Sequence, residues 1–198
     1  MNKSTYKTRK MVTSAVLGAV SSVLMFFSFN VPFMPSFIKM DFSELPALLA
    51  AYAYGPLAGV TVCFIKNAVN LISTSTGGVG ELSNFMLGCM FVVPRGYIYG
   101  RLKTKTGAVL GAFAGAVSMA VAGLFTNYYI VYPVYTVFMP MEAIIGMYSA
   151  ILPGTETLWQ ALIVFNMPFT FFKGMVNMLI AMYIYKPLSP LLKGKSRQ

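Results

Sequence analysis

Residues 45–72 read LPALLAAYAYGPLAGVTVCFIKNAVNLI, and the way this run is divided decides the fold. It is about 28 residues long, against about 20 for one helical crossing of a bilayer. Gly55-Pro56 interrupts it near the middle. A proline lacks the backbone donor and disfavours helix at the residue before it. The spacing therefore predicts a short helix over 45–54 and a second over 56–72. At 1.5 Å per residue the short helix rises only about 15 Å, half a bilayer, so neighbouring protein must shield it.

The rest of the chain sets the count of crossings. Of 198 residues, 57% are hydrophobic and only 10% charged, where soluble domains carry about 25% charged residues. A water-soluble fold of this size cannot hide so much apolar surface, so the expected solvent is lipid. Fifteen Lys and Arg against five Asp and Glu give a formal charge of +10. Such an excess would suggest nucleic acid in a soluble protein, but here it reads as membrane orientation and no nucleic acid is expected. Eleven basic residues form three clusters: Lys3, Lys7, Arg9 and Lys10; Arg101, Lys103 and Lys105; Lys186, Lys193, Lys195 and Arg197. If all three are cytoplasmic, each interval between them holds an even number of crossings. Apolar runs at 11–29, 45–54, 56–72 and 82–100 fill the first interval, and runs at 109–131 and 158–185 fill the second. Segment 132–156 carries Pro133, Pro140, Pro153 and Gly154 and reads as a loop folded over the bundle. The expectation is an all-α integral membrane protein of six helices with both termini cytoplasmic. Residues 1–10 form a basic N-terminus, 11–186 a single membrane domain, and 187–198 a basic C-terminus.

Several chemistries are excluded by what the chain lacks. It has no histidine, which removes His-based triads, His relays and His-ligated zinc. Cys63 and Cys89 lie alone in apolar runs without metal-ligand spacing and read as small buried hydrophobes. No GxxxxGK[ST] loop is present. The basic start followed by an apolar run resembles a signal peptide, but about 19 apolar residues without a small-x-small cleavage site read as a retained spanning helix. An enzyme is not expected.

Candidate functional residues are the polar groups at membrane depth, which cost several kcal/mol unless paired or facing a cavity. Lys173 lies about 20 Å from the C-terminal cluster, too far to snorkel, and needs either a ligand or an internal ion partner. Lys66 and Arg95 stand nearer helix ends, where snorkelling is the expected outcome. Glu81, Asn84, Asn127, Asn166 and Thr170 fall at similar outer heights. Their amides either read a heterocycle's donor and acceptor edge or cap helices and broken backbone. Connections at 30–43, 73–80 and 132–156 are rich in aromatics, proline or glycine. They read as an interfacial aromatic belt or as a lid over a planar ligand. Ala15 and Ala19 stand one turn apart beside a row of Ser14, Gly18 and Ser22, while Gly107, Gly111 and Gly115 form a similar row later. Such rows let helix backbones approach closely, inside the bundle or against another protein.

Several motifs, in order along the chain, resemble one family. They are Lys39-Met40-Asp41-Phe42-Ser43-Glu44-Leu45-Pro46, Tyr54-Gly55-Pro56-Leu57-Ala58-Gly59 with Ile65-Lys66-Asn67, and Gly77-Gly78-Val79-Gly80-Glu81-Leu82-Ser83-Asn84-Phe85. Asn127-Tyr128-Tyr129 and Pro168-Phe169-Thr170-Phe171-Phe172-Lys173-Gly174 complete the set. Over about residues 11–186 the chain resembles the RibU-type, riboflavin-binding substrate (S) components of energy-coupling factor transporters. The resemblance implies a prokaryotic plasma-membrane subunit that captures riboflavin on the extracytoplasmic side. Release inward depends on a transmembrane coupling subunit and two ATPases. It implies riboflavin as bound substrate, with no catalytic cofactor or metal. By resemblance Asn84, Asn127 and Lys173, with Glu81 beside them, are polar ligand contacts. Phe37 to Met40 form the gate, and Thr170 stands where many members carry Asn. Ala15 and Ala19 match the first-helix motif pressed against the coupling subunit. The competing reading is an autonomous flavin carrier, which is expected to show two related halves; no internal repeat is evident.

Overall fold

The break at Gly55-Pro56 is present. In the computed structural model, helix α2 (Glu44–Tyr54) ends where Gly55 takes a φ of 91°, and α3 (Pro56–Asn70) starts on the proline. Pro56 needs no N–H in a first helical turn, and Gly55 supplies a positive φ that side chains resist. The structure describes residues 3–74 and 76–193; Lys195 and Arg197 of the third basic cluster lie outside them.

Ahead of this pair, α1 (Lys3–Phe26) leads into a two-residue antiparallel ladder, β1 (Phe29–Asn30) with β2 (Lys39–Met40). After a 3₁₀ turn at Leu71–Ser73 come α4 (Val79–Leu102) and α5 (Lys105–Thr126). Lys103 in a left-handed conformation ends α4, and the Thr104 hydroxyl caps α5 by accepting from Gly107 N at 3.0 Å. A π-turn over Asn127–Val131 continues α5 into α6 (Tyr132–Tyr135). Then α7 (Met141–Ser149), α8 (Leu158–Ala161), a second π-turn at Leu162–Asn166, and α9 (Met167–Lys193) complete the chain. Each π-turn precedes a proline by two residues, Pro133 or Pro168, whose missing N–H removes one ladder bond and whose ring needs a widened turn.

Segment 132–156 differs from the expected loop, since α6 and α7 occupy much of it. Pro140 is the N-cap of α7, Pro133 lies within the helical run that the π-turn carries from α5 into α6, and Pro153 stands in the turn between α7 and α8. Pro140 thus starts a helix rather than interrupting one. Among the described residues, four stretches are long and apolar enough to cross a membrane: Lys3–Phe26, Pro56–Ser73, Thr106–Tyr135 and Leu158–Pro190. Helix α4 has 24 residues but carries Glu81, Arg95 and Arg101, and α2 has only 11.

The bundle has a basic end and a loop end. At the basic end, Tyr54 stacks edge-on against Tyr6 of α1 at 6.0 Å and donates to the Leu192 carbonyl of α9. Tyr52 meets Tyr99 of α4 and Tyr185 of α9 there. The first two basic clusters and Lys186 therefore share one end. In the interior, Gly115 lets α5 touch α4 so closely that a Cβ would stand 2.4 Å from the Phe91 carbonyl. The later small-residue row is thus internal packing, with Ala112 and Ala116 fully buried. The first-helix rows divide. Ser14, Gly18 and Ser22 face inward, where a Cβ on Gly18 would lie 2.7 Å from Ile65, while Ala15 and Ala19 are exposed.

Candidate functional site

Short β pairing draws the first connection back toward the bundle, so that residues 41–43 tuck between α1, α3 and α9. Asp41 Oδ1 accepts from Ser43 N at 2.9 Å and from Ser43 Oγ at 2.5 Å. Its Oδ2 accepts from Lys173 Nζ at 2.6 Å. Lys66 Nζ donates to Ser43 Oγ at 2.8 Å and to Glu44 Oε1 at 2.5 Å. Ser21 of α1 donates to the Ser43 carbonyl. A continuous chain, Lys173–Asp41–Ser43–Lys66–Glu44, thus joins α9 to α3 through the residues that start α2. Burial alone would raise the Asp41 carboxyl. The charges of Lys173 and Lys66 and the hydrogen bonds from Lys173 and Ser43 outweigh it and hold Asp41 below the usual carboxylate range.

Two of the expected snorkelling side chains are therefore inside. Lys66 is fully buried because Glu44 and Ser43 supply partners at its own depth. Arg95 is also fully buried, 4.3 Å above the Tyr52 ring, and none of its nitrogens has a hydrogen-bond partner. Lys173 has the internal ion partner that its depth requires.

Above this chain, a cavity of about 470 Å³ opens among all three loop-end connections. Phe37 and Lys39 come from the first, Thr76 from the second, and Tyr135, Phe138 and Met139 from the third. The volume falls in the range of about 300–1,000 Å³ typical of small-molecule sites. Phe37 is held edge-on to Tyr132 at 6.2 Å and to Tyr148 at 5.7 Å. Those two phenols hydrogen-bond each other. Tyr148 also donates to Asn166 Oδ1 at 2.7 Å, and Asn166 Nδ2 donates to Tyr132 Oη at 3.2 Å. Burial, with Tyr132 beside it, raises the Tyr148 phenol well above its ordinary value, so it stays a donor. Glu81 accepts from Thr74 at 2.8 Å and Thr76 at 3.3 Å, fixing the second connection at the cavity's edge.

The residues singled out from the sequence fall into three groups. Phe37 lines the cavity, Met40 is buried directly before Asp41, and Glu81 is one hydrogen bond from the lining Thr76. Lys173 joins the first connection through Asp41. Asn84, Asn127 and Thr170 do not line the cavity. Asn84 has a buried Oδ1 without a partner, Asn127 opens the first π-turn, and Thr170 is half-buried toward Gly123 of α5. Sequence reasoning missed the Lys66–Glu44 pair and the tyrosine pair, and it left the ion partner of Lys173 unnamed. The signal for the pairs was available: Asp41 and Glu44 are the only acids before residue 81, and Lys66 and Lys173 lie within apolar runs.

Residues 9–185 match the model of a family described as "ECF transporter, substrate-specific component". The chain is similar to "Riboflavin transporter FmnP" of Bacillus subtilis, 30% identical over 94% of this chain and 95% of that protein. It is 27% identical to "Riboflavin transporter RibU" of Staphylococcus aureus, over 93% of each. Its fold superposes with a TM-score of 0.74 and 28% identity on a solved structure described as "Structure and mechanism of the S component of a bacterial ECF transporter". That match covers 94% of this chain and 99% of the other.

Proposed function

Because the chain belongs to the substrate-specific components of ECF transporters, we propose that it binds riboflavin from outside a bacterial cell and passes it inward when docked to a coupling subunit and ATPases. The observation that carries this reading is the loop-end cavity, walled by Phe37, Tyr135 and Phe138 and contributed by all three connections. A planar, largely apolar heterocycle with a polar edge suits aromatic walls beside fixed polar groups. In this reading the gate includes Phe37 and Met40, and Glu81 fixes the polar edge through Thr76; Lys173, Asn84, Asn127 and Thr170, which do not line the cavity, contact the ligand only where it reaches past the gate into the bundle. The proposed topology has six crossings, the basic end cytoplasmic and the loop end extracytoplasmic; grouping of the first two basic clusters and Lys186 at one end supports it. The exposed Ala15 and Ala19 supply a shallow face for close approach by a partner helix.

Riboflavin titrated into the purified chain should quench Trp159, the second residue of α8, whose ring centroid lies 5.1 Å from that of Tyr128. Thiamine and biotin should not compete. Absence of quenching and of a copurifying flavin absorption band would overturn the ligand. Ala15→Trp and Ala19→Trp should keep riboflavin binding within a few-fold and lose uptake. Uptake by the wild-type chain alone in vesicles without ATPases would instead establish the autonomous carrier. Cysteines at Gly77 and Glu156 should label from outside whole cells, and one at Thr104 should not.

A further inference from the structure

The basic end holds a second cavity, of about 520 Å³, between the C-terminal turns of α2, α4 and α9 and the start of α5. Three tyrosines form its walls. Tyr52 meets Tyr99 at 4.9 Å and Tyr185 at 5.2 Å, and Tyr185 donates to the Tyr52 carbonyl at 3.1 Å. Lys103 and Lys186 stand at its edge, both exposed, and Ser189 adds a hydroxyl. Tyr52 is only 5% exposed, yet its own hydroxyl has no hydrogen-bond partner. Behind its ring stands Arg95, buried and equally without one.

Among the described residues no carboxylate answers this charge. All five acids lie elsewhere: Asp41 and Glu44 in the ion-pair chain, Glu81 on the second connection, and Glu142 and Glu156 in segment 132–156. A buried unpartnered hydroxyl and guanidinium are costly, and native structures satisfy such groups with water, an ion or a ligand. Two lysines around an aromatic, mostly apolar chamber call for a ligand with an anionic head and an apolar body. Inorganic phosphate has the head but leaves the chamber unfilled. The surrounding outer surface is apolar, with Leu102 51% and Tyr183 85% exposed, so the cavity opens beside the acyl region at a helix-end boundary.

We propose that this cavity binds one anionic phospholipid. Its headgroup phosphate meets Lys103 and Lys186, and its glycerol and upper acyl region lie against Tyr52, Tyr99 and Tyr185. Basic pockets between helices at the cytoplasmic boundary suit such headgroups. The inward assignment of this end rests on the topology proposed above, but lipid retention reads the cavity whichever way the chain faces.

The test is native mass spectrometry of the full chain in detergent, titrated with phosphatidylglycerol or with phosphatidylcholine of the same acyl chains. The first phosphatidylglycerol should be retained at least tenfold better than phosphatidylcholine. Lys103→Gln with Lys186→Gln should remove most of that preference, while Lys7→Gln with Lys10→Gln leaves it. Riboflavin binding, read on the same samples, should be unchanged in both double variants and certifies that they are folded. Equal retention of the two lipids, or full phosphatidylglycerol preference in the Lys103/Lys186 variant, would overturn the proposal. So would displacement of the lipid by millimolar inorganic phosphate or a soluble phosphomonoester, which would identify a free phosphate compound as the occupant. Failure of riboflavin binding in the wild type overturns the transport reading and leaves this result standing.

Discussion

At the loop end, Lys66 and Lys173 each lie within 2.6 Å of a carboxylate that the chain itself brings into the bundle. At the basic end, Arg95 is as deeply buried but has only the faces of Tyr52 and Phe91, with its centre 4.3 and 5.8 Å from them. The difference comes from where the acids stand. Residues 41–44 dip between helices and place two carboxylates where two lysines arrive from α3 and α9, whereas no acid reaches the other end. The loop-end charges are therefore structural members with fixed partners. Arg95 is a charge held by aromatic faces with no carboxylate beside it among the described residues.

The largest effect should come from breaking the innermost loop-end pair. Lys66→Met leaves Glu44 buried without its cation and should cost about 3–5 kcal/mol. Adding Glu44→Leu should recover most of it, since an apolar pair of similar volume needs no solvation. Denaturant unfolding in detergent measures both; a single-variant loss near zero would show that water reaches Glu44.

Next in size is Lys173, whose two roles separate cleanly. Lys173→Ala should weaken riboflavin binding by about 1–3 kcal/mol if it leaves a ligand acceptor unpaired. Asp41→Asn with Lys173→Gln removes the ion pair without stranding a charge, so stability should return toward wild type while affinity stays reduced. Recovery of affinity along with stability would make Lys173 a structural residue only.

At the basic end the sign should reverse. Arg95→Met removes an unpartnered buried charge and should leave unfolding stability in detergent unchanged or raise it by about 1 kcal/mol. A loss comparable to that of Lys66→Met would mean that Arg95 carries a partner of equal strength.

The smallest expected effect is that of pH on the Asp41 link. Its folded value is lowered, so its contribution is fully present above the unfolded value of about 3.9 and is lost only as pH falls through the folded one. Stability between pH 5 and 8 should not change through this group. A decline already at pH 6 would show that Asp41 is not held by Lys173.

Much of the bundle was readable in advance because lipid leaves few options. Long apolar runs must be helical, positive clusters group at one end, and Gly55-Pro56 has to divide a run too long for one crossing. The prolines of segment 132–156 misled for a definite reason: local sequence says that a proline ends a helix but not whether another starts on it. Of the site, Phe37, Glu81 and Lys173 were legible as polar or aromatic groups with no other reason to be there. Lys66 and Arg95 were not, because snorkelling depends on whether a partner lies closer than the interface.

By itself the sequence determined the apolar character that calls for lipid, the helical class, the broken second helix and the lack of any histidine or P-loop motif. Each follows from composition or from the covalent nature of one residue type. Only the tertiary structure decided that Asp41 meets Lys173, 132 residues away, that Tyr132 and Tyr148 fix Phe37, and that Arg95 is left unpaired. Those outcomes depend on distances of a few ångströms between segments remote in the chain. Hydrogen bonds and ion pairs fade over such distances, and no periodicity along the chain encodes them.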